Sequence, residues 1–258
     1  MNELTIKNSD GDRARYRELL LRRDELKKEA FFWDREYIRV FGDMLLRNFR
    51  QKLSCIRKKK AISFCQKNRN RGLGIDENEL QAYLNAEMAG YETELKQMVR
   101  KHELSNSGSP LSETDALEEK KLYRKLAKRL HPDMNPGLAG LPGERDLWER
   151  IVLAYKCNDL EALRELQILA EAFGNEEEPE TEIPDLAEKI EQTEQEISRI
   201  QSTEPYRYRD LISDTERTKK KIASLEEEYS SFLEYEKELD RIMEELMAGG
   251  MTLTWTMN

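Results

Sequence analysis

The residues whose types and spacing could do chemistry are His131, Pro132 and Asp133, which close the basic amphipathic stretch from Leu117 to Leu130. An imidazole beside a carboxylate could serve acid–base catalysis. The proline between them, however, stiffens the backbone where a helix must stop, so the trio reads as a contact point for another protein. Nothing else in the chain completes an active site around it. His102 is the only other histidine and reads as a helix-surface or core residue; no glycine-rich phosphate loop occurs, and no carboxylates or cysteines stand at metal-ligand or nucleophile spacing. Cys55, Cys65 and Cys157 form no C-x-x-C pair and read as reduced structural thiols. No enzyme activity, metal or cofactor is indicated.

The elements that must position the trio are legible on either side of it. Ser112, three residues before Asp115, is an expected N-cap for a helix whose inner face is Leu122, Leu126 and Leu130, with Tyr123 and Ala127 alongside. The other face carries Lys120, Lys121, Arg124, Lys125, Lys128 and Arg129. Pro132 ends that helix, so His131 sits where the macrodipole favours a protonated imidazole, and Asp133 is expected to project from the loop. Met134 to Gly143 carries two prolines and three glycines, and a second helix follows with Leu147, Trp148, Ile151, Ala154 and Tyr155 inward. Asn158 and Asp159 suggest a turn and a new cap. A short helix with Leu160, Leu163, Leu166 and Leu169 then covers the pair.

The run Tyr123-Arg124-Lys125-Leu126-Ala127-Lys128-Arg129-Leu130-His131-Pro132-Asp133, with Asn135 beyond it, resembles the second helix and loop of a J domain, the DnaJ-type co-chaperone module. Trp148, Ile151, Ala154 and Tyr155 resemble its third helix. The resemblance implies that the basic helix docks on the ATPase domain of a DnaK-type (heat-shock seventy) chaperone and that the His-Pro-Asp (HPD) loop triggers ATP hydrolysis there. On this chain His131, Pro132 and Asp133 would be the trigger; Tyr123, Arg124, Lys125, Lys128 and Asn135 would dock; Leu122, Leu126, Leu130, Trp148, Ile151, Ala154 and Tyr155 would form the module's core. The match covers Ser112 to Tyr155. The usual tyrosine-leucine-glycine opening of a first helix is missing, so the Asp76 to Glu103 helix is taken as its replacement; Met134 stands where a basic residue is common, and KCNDLEALREL departs from the usual ending.

Around this module the chain reads as helix throughout. It has 258 residues, 37% of them charged, and a net charge of -9, with apolar residues too thinly spread for a single large core. No apolar run approaches the roughly 18 residues of a membrane span, and MNELTIKNSDGD lacks the features of a signal peptide, so the cytoplasm is expected. Residues 1–75 form a basic long helix with a stripe from Leu19 through Leu26, Ala30, Trp33, Tyr37, Phe41, Leu45, Phe49 and Leu53 to Ile56. Residues 76–111 hold a second helix, started by Asp76 and Glu79, with Leu80, Leu84, Met88, Tyr91, Leu95, Met98 and His102 on one face, and a loop. The two helices are expected to form an antiparallel hairpin, in which Gly42 and Gly90 mark close packing or weak points.

Residues 112–173 are the J-like module with its short helix, and 174–184 an acidic linker. Residues 185–248 carry heptad spacing in two segments around Pro205, which predicts an antiparallel coiled-coil hairpin with surface left for a protein client or for self-association. Residues 249–258 are a tail, a short strand or disordered end. The first 75 residues hold 20 Lys and Arg against 10 Asp and Glu, whereas 176–248 hold 10 against 23, so the two ends are expected to attract each other. Met44 to Ile75 has ten basic residues and no acid. Such a face fits a nucleic acid or an anionic lipid surface; the other reading is a solvated face, or one docked on the acidic C-terminal segment. Three function classes follow: a co-chaperone with coiled coils for client or partner binding, a coiled-coil scaffold with an inactive J-like segment, and a nucleic-acid-binding protein.

Overall fold

The computed structural model describes residues 2–105, 111–138, 143–171, 183 and 185–248, with side chains from residue 11 onward. The expected strand or disordered end at 251–258, and all of the acidic linker except Ile183, lie outside the described residues. The elements are α1 (Asn2–Asn70), α2 (Glu77–Ser105), α3 (Glu113–Leu130), a single 3-10 turn (Pro136–Leu138), α4 (Glu144–Lys156), α5 (Leu160–Ala170), α6 (Leu186–Ser202), α7 (Tyr208–Ile212) and α8 (Thr215–Ala248). Among the described residues the fold is all-α, and no helix is long and apolar enough to cross a membrane.

Local chemistry explains where the helices begin. The Ser112 hydroxyl accepts from the Asp115 amide at 3.1 Å, and Asp159 accepts from the Ala162 amide at 2.9 Å after Asn158 turns the chain with φ 58°. Asp76 accepts from the Asn78 and Glu79 amides, and Asp214 from those of Glu216 and Arg217. Each carboxylate or hydroxyl satisfies amides that have no partner within the helix. Gly143, with φ 84°, makes the left-handed turn into α4 that a side chain would resist.

The described residues fall into two compact units, 1–34 with 108–210 and 35–107 with 211–258, and α1 contributes residues to both. In the first, α3, α4 and α5 close a core around Leu126, Leu130, Ile151 and Leu163, to which α1 adds Tyr16, Leu20 and Leu21 and α6 adds Ile190. Here the structure corrects the sequence reading: the helix laid against the α3–α4 pair is the first part of α1, whereas α2 belongs to the other unit. The stripe seen in the sequence missed Tyr16, Leu20 and Leu21 because α1 buries more than one face.

In the second unit, Phe64 meets Tyr83 with ring centroids 5.2 Å apart, Lys60 meets Glu87, and Gly42 lies under His102, so α2 runs antiparallel to α1. Helix α8 runs parallel to α1: Arg47 pairs with Glu226 at 2.8 Å, Ser54 with Glu236, and Lys58 with Asp240 at 2.6 Å. The two segments of the expected C-terminal hairpin fall in different units. α6 belongs to the first unit and α8 to the second, and each makes its charge pairs with α1. Opposite net charges on the two ends are used in this way. Cys55 and Cys65 are buried with thiols pushed up by burial, which keeps them inert, while Cys157 is exposed at the end of α4.

Gly42 and Gly90 separate cleanly. A Cβ at Gly90 meets nothing, whereas one at Gly42 runs into the His102 ring and lies 3.3 Å from Ile38. Gly90→Ala is expected to stabilise the protein by about 0.5–1 kcal/mol and Gly42→Ala to give no such gain, as read by urea denaturation. Equal effects at the two positions would contradict the packing described.

Candidate functional site

The His131-Pro132-Asp133 loop is shaped by its own hydrogen bonds. Helix α3 stops because Pro132 has no amide hydrogen and pushes its predecessor into extended backbone, where His131 sits at φ -63° and ψ 123°. The His131 amide still donates to the Ala127 carbonyl at 2.9 Å. The chain then turns tightly, with the Met134 and Asn135 amides donating to the His131 carbonyl at 3.0 and 2.9 Å. The Asn135 side chain donates to the Lys128 carbonyl at 3.0 Å and so satisfies an open end of α3. Met134 and Leu138 are buried beneath the loop. Met134 is thus an anchor.

His131 is itself a brace. Its Nδ1 accepts from the Asp133 amide at 3.0 Å, which places the proton of the neutral ring on Nε2, and its ring packs on Trp148 of α4 with centroids 4.8 Å apart. The imidazole is 2% exposed. Burial, helped by the neighbouring Arg23 and Lys27 cations, outweighs the Asp24 and Asp133 carboxylates and holds it below its ordinary value. The protonated form expected from the helix end is therefore disfavoured: the pull of a helix dipole is smaller than the cost of burying the cation.

The other wall is α1. The Tyr123 hydroxyl donates to Asp24 at 2.7 Å, and Asp24 also lies 3.7 Å from His131 Nε2. Arg124 forms two bonds to Glu25, at 2.8 and 3.1 Å, and Lys120 pairs with Glu25 at 3.0 Å. Together these donors overcome the partial burial of Glu25 and hold its carboxyl below the usual range. Deeper in, Lys28 pairs with the buried Glu119 and stands 4.0 Å over the Tyr155 ring; burial pushes the Glu119 carboxyl up and the Lys28 amine down. Arg23 reaches Asp24 at 3.1 Å, Asp133 at 3.5 Å and Glu196 of α6 at 3.6 Å.

The expected site residues are thereby sorted. Leu122, Leu126, Leu130, Ile151, Ala154 and Tyr155 share one buried cluster with Trp148 packed against it, and Tyr155 stacks on Tyr123 at 3.8 Å. Tyr123 is 1% exposed, so the structure corrects its reading as a docking residue: its ring is core and its hydroxyl is occupied by Asp24. Arg124 is likewise occupied by Glu25, and Asn135 by the end of α3. Lys121, Lys125 and Lys128, spaced at i, i+4 and i+7, form an exposed stripe that leads toward the exposed Pro132 and half-exposed Asp133. Asp133 does not project freely, because Arg23 engages it. In the basic run of α1, Lys58 faces Glu236 and Asp240, and Lys60 faces Glu87. Sequence reading missed Arg23, Asp24, Lys28 and Glu119. Glu119 had a signal, as an acid on the inner side of α3; the α1 residues had none.

No protein-family model, no curated protein and no solved structure gives a significant match to this chain.

A folded-state imidazole held below its ordinary value near 6.5 refuses a proton that the unfolded chain accepts, so its contribution to stability is lost as the pH falls below that value. Between about pH 7.5 and about pH 5.5 the wild-type protein is expected to lose more stability in urea denaturation than His131→Gln does. Equal losses would mean that the ring is not held neutral.

Proposed function

We propose that the chain is a J-type co-chaperone that binds a DnaK-type ATPase through the α3 stripe and the His131-Pro132-Asp133 loop and accelerates its ATP hydrolysis. The observation that carries this reading is the placement of the lysine stripe. Lys121, Lys125 and Lys128 lie exposed on one line of α3 that ends at Pro132 and Asp133, so a positive track leads to a single carboxylate on a braced turn. Lysines along a helix steer toward an acidic surface and raise the encounter rate. A carboxylate at the end of that track is an acceptor matched to a guanidinium of the partner. The hydrolytic groups belong to the partner; this chain supplies contact and position. In this reading Asp133 touches the partner, while His131 and Asn135 are positioning residues that hold the turn.

A second reading is favoured by a specific observation. With His131 buried and Asp133 engaged by Arg23, a helical scaffold whose J-like segment serves packing alone accounts for the same contacts.

Single-turnover ATP hydrolysis by a DnaK-type chaperone separates the two. The co-chaperone reading expects acceleration by the wild-type chain, weakened about tenfold or more by Asp133→Asn and lost in His131→Gln, with helicity retained in both. An unchanged rate in excess wild-type protein would leave the scaffold reading.

A further inference from the structure

We infer that the loop is gated by Arg23: α1 lays its own guanidinium on the Asp133 carboxylate, and docking proceeds when a cationic side chain of the partner takes that place. The inference rests on the co-chaperone reading above and names how the same site is regulated. Three carboxylates from three elements surround this one arginine, namely Asp24 of α1, Asp133 of the loop and Glu196 of α6. Its side chain is 14% exposed, and its Nη2 also approaches His131 Nε2 at 3.2 Å. Arg23 therefore pairs with the acid of the tripeptide and only lies against its imidazole, whose protonated Nε2 accepts nothing from it.

The gate can open without unfolding its surroundings. When Arg23 leaves, Asp24 keeps the Tyr123 hydroxyl and Glu196 keeps Lys27 at 2.7 Å. The turn keeps its brace through the Asp133 amide and His131 Nδ1. Leu20 and Leu26, both fully buried on either side of Arg23, hold the helix in place, so the moving part is a side chain. A cavity of about 210 Å³ adjoins the tripeptide between Arg23, Lys27, Trp148, Val152, Tyr155 and Lys156 and leaves room for that side chain to swing. Asp133 is 45% exposed, which makes its pair with Arg23 a weak one that a competing guanidinium can displace. The Lys28–Glu119 pair is different in kind. Glu119 is 2% exposed, and no competitor reaches it.

The chemistry specifies the partner surface as acidic where it meets the lysine stripe, with an exposed arginine at the end that meets the loop. Arginine fits better than lysine, because its planar fork matches a carboxylate.

The test titrates the full chain into a DnaK-type chaperone and follows single-turnover ATP hydrolysis for wild type, Arg23→Ala and Arg23→Gln, with circular dichroism as the check on folding. Removing Arg23 is expected to lower the half-saturating concentration about three- to tenfold, and adding Asp133→Asn to cancel the gain. The sign is diagnostic, since losing a positive charge would otherwise weaken docking on an acidic surface. If Arg23→Ala loses helicity, Arg23→Gln, which keeps the aliphatic stem, carries the comparison. Equal half-saturating concentrations in all three chains, with stimulation that Asp133→Asn weakens, would overturn the gate and leave the co-chaperone reading standing. No stimulation by any folded chain would overturn the co-chaperone reading, and the gate with it.

Discussion

The site depends on one ionic seam, the contact that residues 23 to 28 of α1 make with α3 and the loop. Arg23, Asp24, Glu25 and Lys28 meet Asp133, Tyr123, Arg124 and Glu119 in turn. Charged groups removed from water are costly unless paired, so a shift of α1 by one residue would leave several of them without partners. The apolar neighbours Leu20, Leu21 and Leu26 drive burial but tolerate small slides. The charges set the register of α1 on α3, and with it the place of Arg23 over the loop.

That seam gives the tripeptide divided roles. Pro132 stops α3 and faces solvent. His131 turns inward, where Trp148 supports its ring and its Nδ1 holds the next turn of backbone. Asp133 alone offers a charged group at the rim, and Asn135 secures the carbonyl end of α3 behind it. A buried neutral imidazole does not exchange protons with a substrate, which suits a site that presents one carboxylate in a fixed position. The exposed lysines of α3 are separated from the occupied cations Lys120 and Arg124 by helix geometry alone: a turn of the helix puts one set on α1 and leaves the other to solvent.

Much of this was legible in the sequence, and the rest was hidden for physical reasons. Ser112, Pro132 and Asp159 marked helix ends because capping and proline chemistry are local. The periodicity of Leu122, Leu126 and Leu130 located the inner face of α3 for the same reason. What periodicity does not reveal is which helix covers a face. α2 was a reasonable cover for α3 by proximity along the chain, yet Tyr16, Leu20 and Leu21 of the distant α1 take that place. Heptad spacing in α6 and α8 was equally silent about partners: within its own unit each helix makes charge pairs with α1. Arg124 looked like a surface residue, and Tyr123, already placed beside the inner face, took a docking role from the resemblance alone, because nothing local discloses that Asp24 and Glu25 lie opposite them.

In the proposed function, the lysine stripe and the braced carboxylate form one docking surface on which Arg23 rests until a partner replaces it. Heteronuclear NMR of the full chain, recorded while the ATPase domain of a DnaK-type chaperone is added, tests it most directly. Shifts concentrated at Lys121, Lys125, Lys128, Asp133 and the Arg23 side chain are expected. An unperturbed loop, or shifts confined to α2 and α8, would contradict it.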